Sequence, residues 1–157
     1  MDEITLGTVL LNDPFCRDVF KGTYPSNELL QPTFTFPACY IINTDKNYAK
    51  GAHWFVLYLE NRSCDNARIQ AQIFDSLGPD VNRISQTLKI SLYGMKISKN
   101  MHRYQAFNSN SCGLFCLYYI KLRCRGLDDK AVLNTLRIDD FERNELIIRD
   151  FVKLPYT

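Results

Sequence analysis

The nucleophiles and neutral-pH bases available to this chain are few: six cysteines and two histidines, His53 and His102. Cys16, Cys39 and Cys64 are scattered singly, whereas Cys112, Cys116 and Cys124 share one segment. Cys112 follows the polar run QAFNSNS and opens the apolar run CGLFCLYYIKLRCR. A helix beginning there aims unpaired N–H groups and the positive end of its dipole at the sulfur, which stabilises a thiolate. Cys116 and Cys124 lie one and three turns further on, where a low dielectric raises the thiol pKa, so they read as small core hydrophobes.

His53 stands at the head of the apolar run WFVLYL, which puts its ring at the end of a sheet. Asp75 closes the run IQAQIFD before a Gly-Pro turn. If those two strands pair antiparallel, the two side chains lie side by side, and the carboxylate can hold the imidazole in the tautomer that takes a proton from Cys112. Gln105 precedes Cys112 by seven residues in a polar loop. Its amide can join the Cys112 backbone N–H in an oxyanion hole. Each residue alone has a plainer reading: a core thiol, a hydrogen-bonded structural histidine, an Asx turn, a solvated glutamine. The order His, Asp, Gln, Cys, each at the end of an element, is more specific than any member. His102 with Cys112, Cys116 and Cys124 makes no zinc site, because there is no C-x-x-C knuckle and ligands down one helix diverge.

The elements that must position these groups follow from pattern. Asn12-Asp13-Pro14 predicts a short helix through Phe20, and residues 22–27 predict a loop. Ala38 to Thr44, His53 to Glu60 and Ile69 to Asp75 predict three strands, the second buried on both faces, with the sheet stopping at Ser76-Leu77-Gly78-Pro79. Ile84, Leu88 and Leu92 predict an amphipathic helix over Val81 to Tyr93, ended by Gly94, with a short strand at Met95 to Ser98. Cys112 to Arg125 predicts a buried helix opened by the capping candidates Ser109, Asn110 and Ser111 and stopped at Gly126. Asp128 caps a short helix to Leu136, and Phe141, Leu146, Ile148 and Phe151 predict a last helix packing on the core. The fold class is α+β, a small sheet flanked by helices.

With 157 residues, 46% hydrophobic and 23% charged, the chain fits one globular domain over 1–157 and excludes disordered and low-complexity scaffolds. No apolar run reaches the roughly 18 residues of a membrane span, and Met1-Asp2-Glu3 opens no signal peptide, which predicts a protein that is not secreted, with free thiols in a reducing compartment. The net charge of +2 is unevenly placed. Val81 to Leu127 holds no acid and eight bases, including Lys89, Lys96, Lys99 and Arg103, while the remainder is −6. Such a segment can face a polyanion or simply be solvated.

At these residues the sequence resembles the adenain family of viral maturation cysteine proteases, within the clan that includes the SUMO-deconjugating proteases. FKGTYP (20–25), PACYIINT (37–44), GAHWF (51–55), FDSLG (74–78), QAFNSNSCGLFCLYYI (105–120) and RNELIIRDFV (143–152) resemble successive family motifs in order. The seven-residue Gln-to-Cys spacing and CGLFC are similar to adenain; Asp75, where adenain has glutamate, and FDSLG are similar to the SUMO proteases.

The resemblance implies an adenain-like α+β fold, a small mixed sheet flanked by helices with the nucleophile at the N-terminus of a central buried helix, with Cys112 as nucleophile, His53 as general base, Asp75 as third member and Gln105 as oxyanion donor. It implies an endopeptidase that cleaves capsid and core precursor proteins during virion maturation after small residues such as Gly, the alternative being a protease of SUMO- or ubiquitin-like modifiers. An adenovirus-like virus, a virophage or a Maverick/Polinton-type element is the implied source, and the virion and its assembly site, host nucleus or cytoplasmic factory, the implied location. A monomer is expected, with no metal and no membrane. DNA and a short activating peptide are the implied cofactors; the DNA gives Lys89, Lys96, Lys99 and Arg103 a partner. No cysteine stands near Gly94, between Tyr93 and Lys96, so a disulfide link to such a peptide is not expected there. A binding module without activity is a third reading, against which the intact four-residue set argues.

Overall fold

A computed structural model describes residues 1–31, 33, 35–44, 53–61, 68–79 and 84–153. Cys64, Arg83, the Gly51-Ala52 pair before His53 and the first residues of the helix expected from Val81 lie outside them.

The class is mixed α+β. Five strands form one sheet in sequence order: β1 (Phe20–Pro25), β2 (Ala38–Asn43), β3 (Trp54–Glu60), β4 (Gln70–Phe74) and β5 (Lys96–Lys99). The pairs β2/β3 and β3/β4 are antiparallel, and the outer pairs β1/β2 and β4/β5 are parallel. Side chains alternate across the pleat, so β3 sends Trp54, Val56 and Tyr58 into one core and Phe55, Leu57 and Leu59 into another. That is why its sequence is unbrokenly apolar. It is the middle strand, covered on both faces.

Helix α3 (Cys112–Cys124) lies on the first face with Phe115, Leu117 and Ile120 buried, and is itself flanked by α1 (Glu3–Leu11) and α5 (Phe141–Val152). Each such fully buried side chain contributes about 1.5–3 kcal/mol by leaving water. Phe74 of β4 stacks on Tyr119 of α3 with centroids 4.5 Å apart and planes within 4°. The second face is covered by α2 (Gln86–Ser91), whose Leu88 is buried, and by Leu92 just after it. The Ser85 side chain caps α2 by accepting from Leu88 N. Helix α4 (Asp129–Leu133) is capped by Asp128, which accepts from Ala131 N.

Four expectations need correction. The helix expected from Pro14 to Phe20 is a chain of turns: Asp13 Oδ1 accepts from Phe15 N, the Asp13 carbonyl from Cys16 N and Arg17 N, and the Cys16 carbonyl from Val19 N and Phe20 N. The first helix lies earlier, over Glu3–Leu11, where the Asp2 side chain caps Thr5 N. Residues 22–25, expected as loop, belong to β1: Thr23 and Tyr24 pair with Ile41 and Ile42, and the register shift between Phe20 and Thr23 absorbs Gly22 at φ 130°. Pro25 is tolerated there because β1 is an edge strand. The sheet does not stop at Ser76–Pro79, since β5 adds beyond it as the short strand near Met95. In α5 the core face is Asn144, Ile148 and Val152, whereas Leu146 is 70% exposed.

Candidate active site

Three segments end at one point. His53 immediately precedes β3, Asp75 immediately follows β4, and Cys112 is the first residue of α3. The antiparallel register pairs Val56 with Phe74, so one step further Asp75 falls level with Phe55, two residues from His53 on the same face. His53 Nε2 and Asp75 Oδ1 are 2.6 Å apart, both side chains less than a tenth exposed. Asp75 Oδ1 also accepts from Leu77 N at 2.9 Å, inside the turn that Gly78 completes. Gly78 has φ +88°, and a Cβ there would meet the Arg103 backbone N at 3.2 Å, so this turn admits no side chain.

With Nε2 committed to Asp75, Nδ1 is the ring nitrogen left for the thiol. Burial works to lower the basicity of His53, but its hydrogen bonds to Asp75 and then Cys112 prevail and raise its pKa to about 9. For Cys112 burial works to raise the pKa; the bond to His53, the Trp54 backbone N–H and the Gly113 N–H outweigh it, and the thiol is held below its ordinary value. The pair favours thiolate beside imidazolium, which is the reactive form of a cysteine. Cys116, one turn deeper and 1% exposed, is pushed up by burial and stays an inert thiol. Cys16, Cys39 and Cys124 are also free.

Gln105 is 1% exposed in the loop between β5 and α3. Its Oε1 accepts from the Ser76 hydroxyl at 2.6 Å, its Nε2 donates to Ser109 O at 2.8 Å, and its backbone N–H donates to Ser76 O at 3.0 Å. Ser111 precedes α3 but makes no side-chain cap; the hydroxyls of Ser109 and Ser111 turn to Glu145 on α5, whose other oxygen takes Arg149 at 3.2 Å. Asn100, at the end of β5, bonds both the N–H and the C=O of Asp75. Ser76, Asn100 and Glu145 were not legible as site residues, because each acts on a partner distant in sequence.

Among the described residues, the bases of the acid-free segment meet different partners. Lys121 and Arg125 both bind Asp13, at 2.6 and 2.9 Å, and Arg123 is buried against Glu60 at 3.1 Å. The Arg103 guanidinium lies over the Phe107 and Phe141 rings, 3.8 and 4.6 Å from their centroids. Lys89, Lys96 and Lys99 are exposed, but Lys96 and Lys99 stand three residues apart on one strand and so project to opposite faces. The side chain of His102 is exposed, apart from these groups. Among the described residues no cluster of His, Cys, Asp or Glu could hold a metal ion, and no helix is long and apolar enough to cross a membrane.

No protein-family model matches the chain, and no curated protein matches it. Among solved structures, the crystal structure of the Se-Met ASFV pS273R protease is similar, with a TM-score of 0.47 and 20% sequence identity over 76% of this chain. The match covers 44% of that protein, so this chain spans less than half its length.

Proposed function

We propose that the chain is a cysteine endopeptidase in which Cys112, His53, Asp75 and Gln105 carry the reaction. The observation that carries this reading is the 2.6 Å His53–Asp75 contact with the remaining ring nitrogen left for a thiol at the first turn of a buried helix. The Cys112 thiolate attacks the scissile carbonyl carbon, and the charge that forms on the carbonyl oxygen is met by the Cys112 N–H and the Gln105 amide. The His53 imidazolium gives its proton to the leaving amine, leaving a thioester on Cys112. His53 then takes a proton from water, which attacks the thioester, freeing the acid and restoring the Cys112 thiolate beside the His53 imidazolium.

The substrates we propose are viral structural precursors cut after small residues, a reading supported by the ordered motifs from FKGTYP to RNELIIRDFV and above all by QAFNSNSCGLFC. Asp75 and FDSLG favour a second reading, cleavage after the Gly-Gly tail of a ubiquitin-like modifier. Mass-resolved labelling with iodoacetamide, alongside turnover of a peptide with an internal Gly site and of a Gly-Gly-tailed modifier, tests both. Fast labelling at Cys112, with turnover abolished in Cys112→Ala, is the expected result. Labelling no faster than a free thiol, with neither substrate cut, rejects the protease. Cleavage of the modifier alone selects the second reading.

The exposed Lys89, Lys96 and Lys99 support DNA as a cofactor. Duplex binding that weakens with salt is expected, because neutralising phosphates releases counterions. No binding at low salt rejects it.

A further inference from the structure

We propose that Ser76 is a positioning residue that anchors the Gln105 side-chain amide by its oxygen, in the orientation the Ser109 carbonyl selects, and so keeps an N–H turned to the developing oxyanion. The inference rests on the cysteine-protease reading above. A glutamine amide has two nearly isosteric ends, one accepting and one donating, and only its neighbours decide which end points where. Ser109 O is a carbonyl, which can only accept, so the end facing it at 2.8 Å must be the NH₂ group. The opposite end is then Oε1, 2.6 Å from the Ser76 hydroxyl, which has a proton to give. Both residues are almost fully enclosed, Ser76 at 2% and Gln105 at 1% exposure, so water does not replace either partner.

One N–H of the amide is used on Ser109, and the second is the one the reaction needs. Ser76 also accepts the Gln105 and Tyr104 backbone N–H groups on its own carbonyl, at 3.0 and 2.8 Å. It follows Asp75 directly in the chain. One dipeptide therefore holds both halves of the machinery: residue 75 orients the base and residue 76 anchors the oxyanion donor. Without the Ser76 hydroxyl, a buried carbonyl oxygen loses its donor and the amide rotates away to find another.

Two reactions of the same sulfur separate this role from a general one. Acylation of Cys112 by a p-nitrophenyl ester passes through an oxyanion; alkylation by iodoacetamide is displacement at a saturated carbon and forms none. In Ser76→Ala, acylation and peptide kcat are expected to fall about 10- to 100-fold, less than the loss from deleting an oxyanion donor outright. KM, the alkylation rate and its pH midpoint are expected to stay as in the wild type. Ser76→Thr, which keeps a hydroxyl, is expected to recover most of the acylation rate. Taking the ratio of acylation to alkylation on one sample cancels any unfolded fraction. A ratio unchanged in Ser76→Ala, or one that Thr does not restore, overturns the role. Wild-type Cys112 that alkylates no faster than a free thiol instead overturns the protease reading, and this inference with it.

Discussion

Asn100 grips Asp75 by both of its backbone groups: Oδ1 accepts from Asp75 N and Nδ2 donates to Asp75 O, each at 2.8 Å. The second Nδ2 proton goes to His102 O, also at 2.8 Å. The ladder between β4 and β5 ends at Ile73–Lys99, and the Asn100 side chain carries the pairing on to Asp75, where the carboxylate must be held. Asn100→Leu leaves buried backbone groups without partners, at about 1–3 kcal/mol for each. Urea unfolding of the variant should show that loss, together with slower peptide turnover; an unchanged midpoint refutes the grip.

The pH dependence follows from the raised His53. Its folded pKa of about 9 lies above the ordinary 6.5. Stability from the charged ring beside Asp75 is therefore fully present below pH 6.5 and is lost as pH rises through about 9. Thermal melts over that window should fall in the wild type and stay nearly level in His53→Gln. Since the Cys112 thiol is lowered, its alkylation should persist at pH values where a free cysteine is unreactive. Asp75→Asn removes the charge that supports the imidazolium and is expected to slow turnover by up to about 10⁴-fold.

A second pH effect has the opposite sign. Asp13 is buried, which works to raise its pKa, but Lys121, the Phe15 N–H and Arg125 lower it to about 2. This group stabilises the fold above its ordinary 3.8, and that contribution disappears as pH falls through about 2. Acid titration of Asp13→Asn should show a shallower loss than the wild type in that range. At neutral pH the substitution should cost on the order of 1.5–3 kcal/mol, the worth of hydrogen bonds to a charged group.

Glu145 gathers the hydroxyls of Ser109 and Ser111 just before the nucleophile. Glu145→Leu releases both, so amide hydrogen exchange should accelerate from Ser109 to Gly113 while the sheet stays protected. Equal protection in variant and wild type would show that the loop holds itself.

What could be read in advance was local. The alternation and apolar runs of β2 to β4, the buried helix at Cys112 and the end positions of His53 and Asp75 need only pattern and strand pairing. The rest depends on partners far along the chain. Helix α1 buries Leu6 and Leu10 but leaves Ile4 80% and Leu11 55% exposed, so no single apolar stripe marks it. Strand β1, with its Gly and Pro, exists because β2 lies beside it. Within the acid-free segment, Lys121 and Arg125 are answered by Asp13 and Arg123 by Glu60, all from outside it. Charge counted along the sequence does not reveal such pairings.

Arg123 is one charged side chain buried in an otherwise apolar contact between α3 and the sheet. Its guanidinium lies 3.9 Å from the Tyr58 ring centroid, donates to Tyr119 at 2.7 Å and to Gln72, and meets Glu60 at 3.1 Å. Greasy surfaces alone are forgiving: a helix of Leu, Ile and Phe could rotate or slide by a turn and still exclude water. This cation allows one setting, because any slip strands it away from its oxygens in a dry interior. It sits eleven residues from Cys112, about 16 Å along the axis. Like the notch of a key, it indexes the helix at one end so that the sulfur at the other arrives opposite His53.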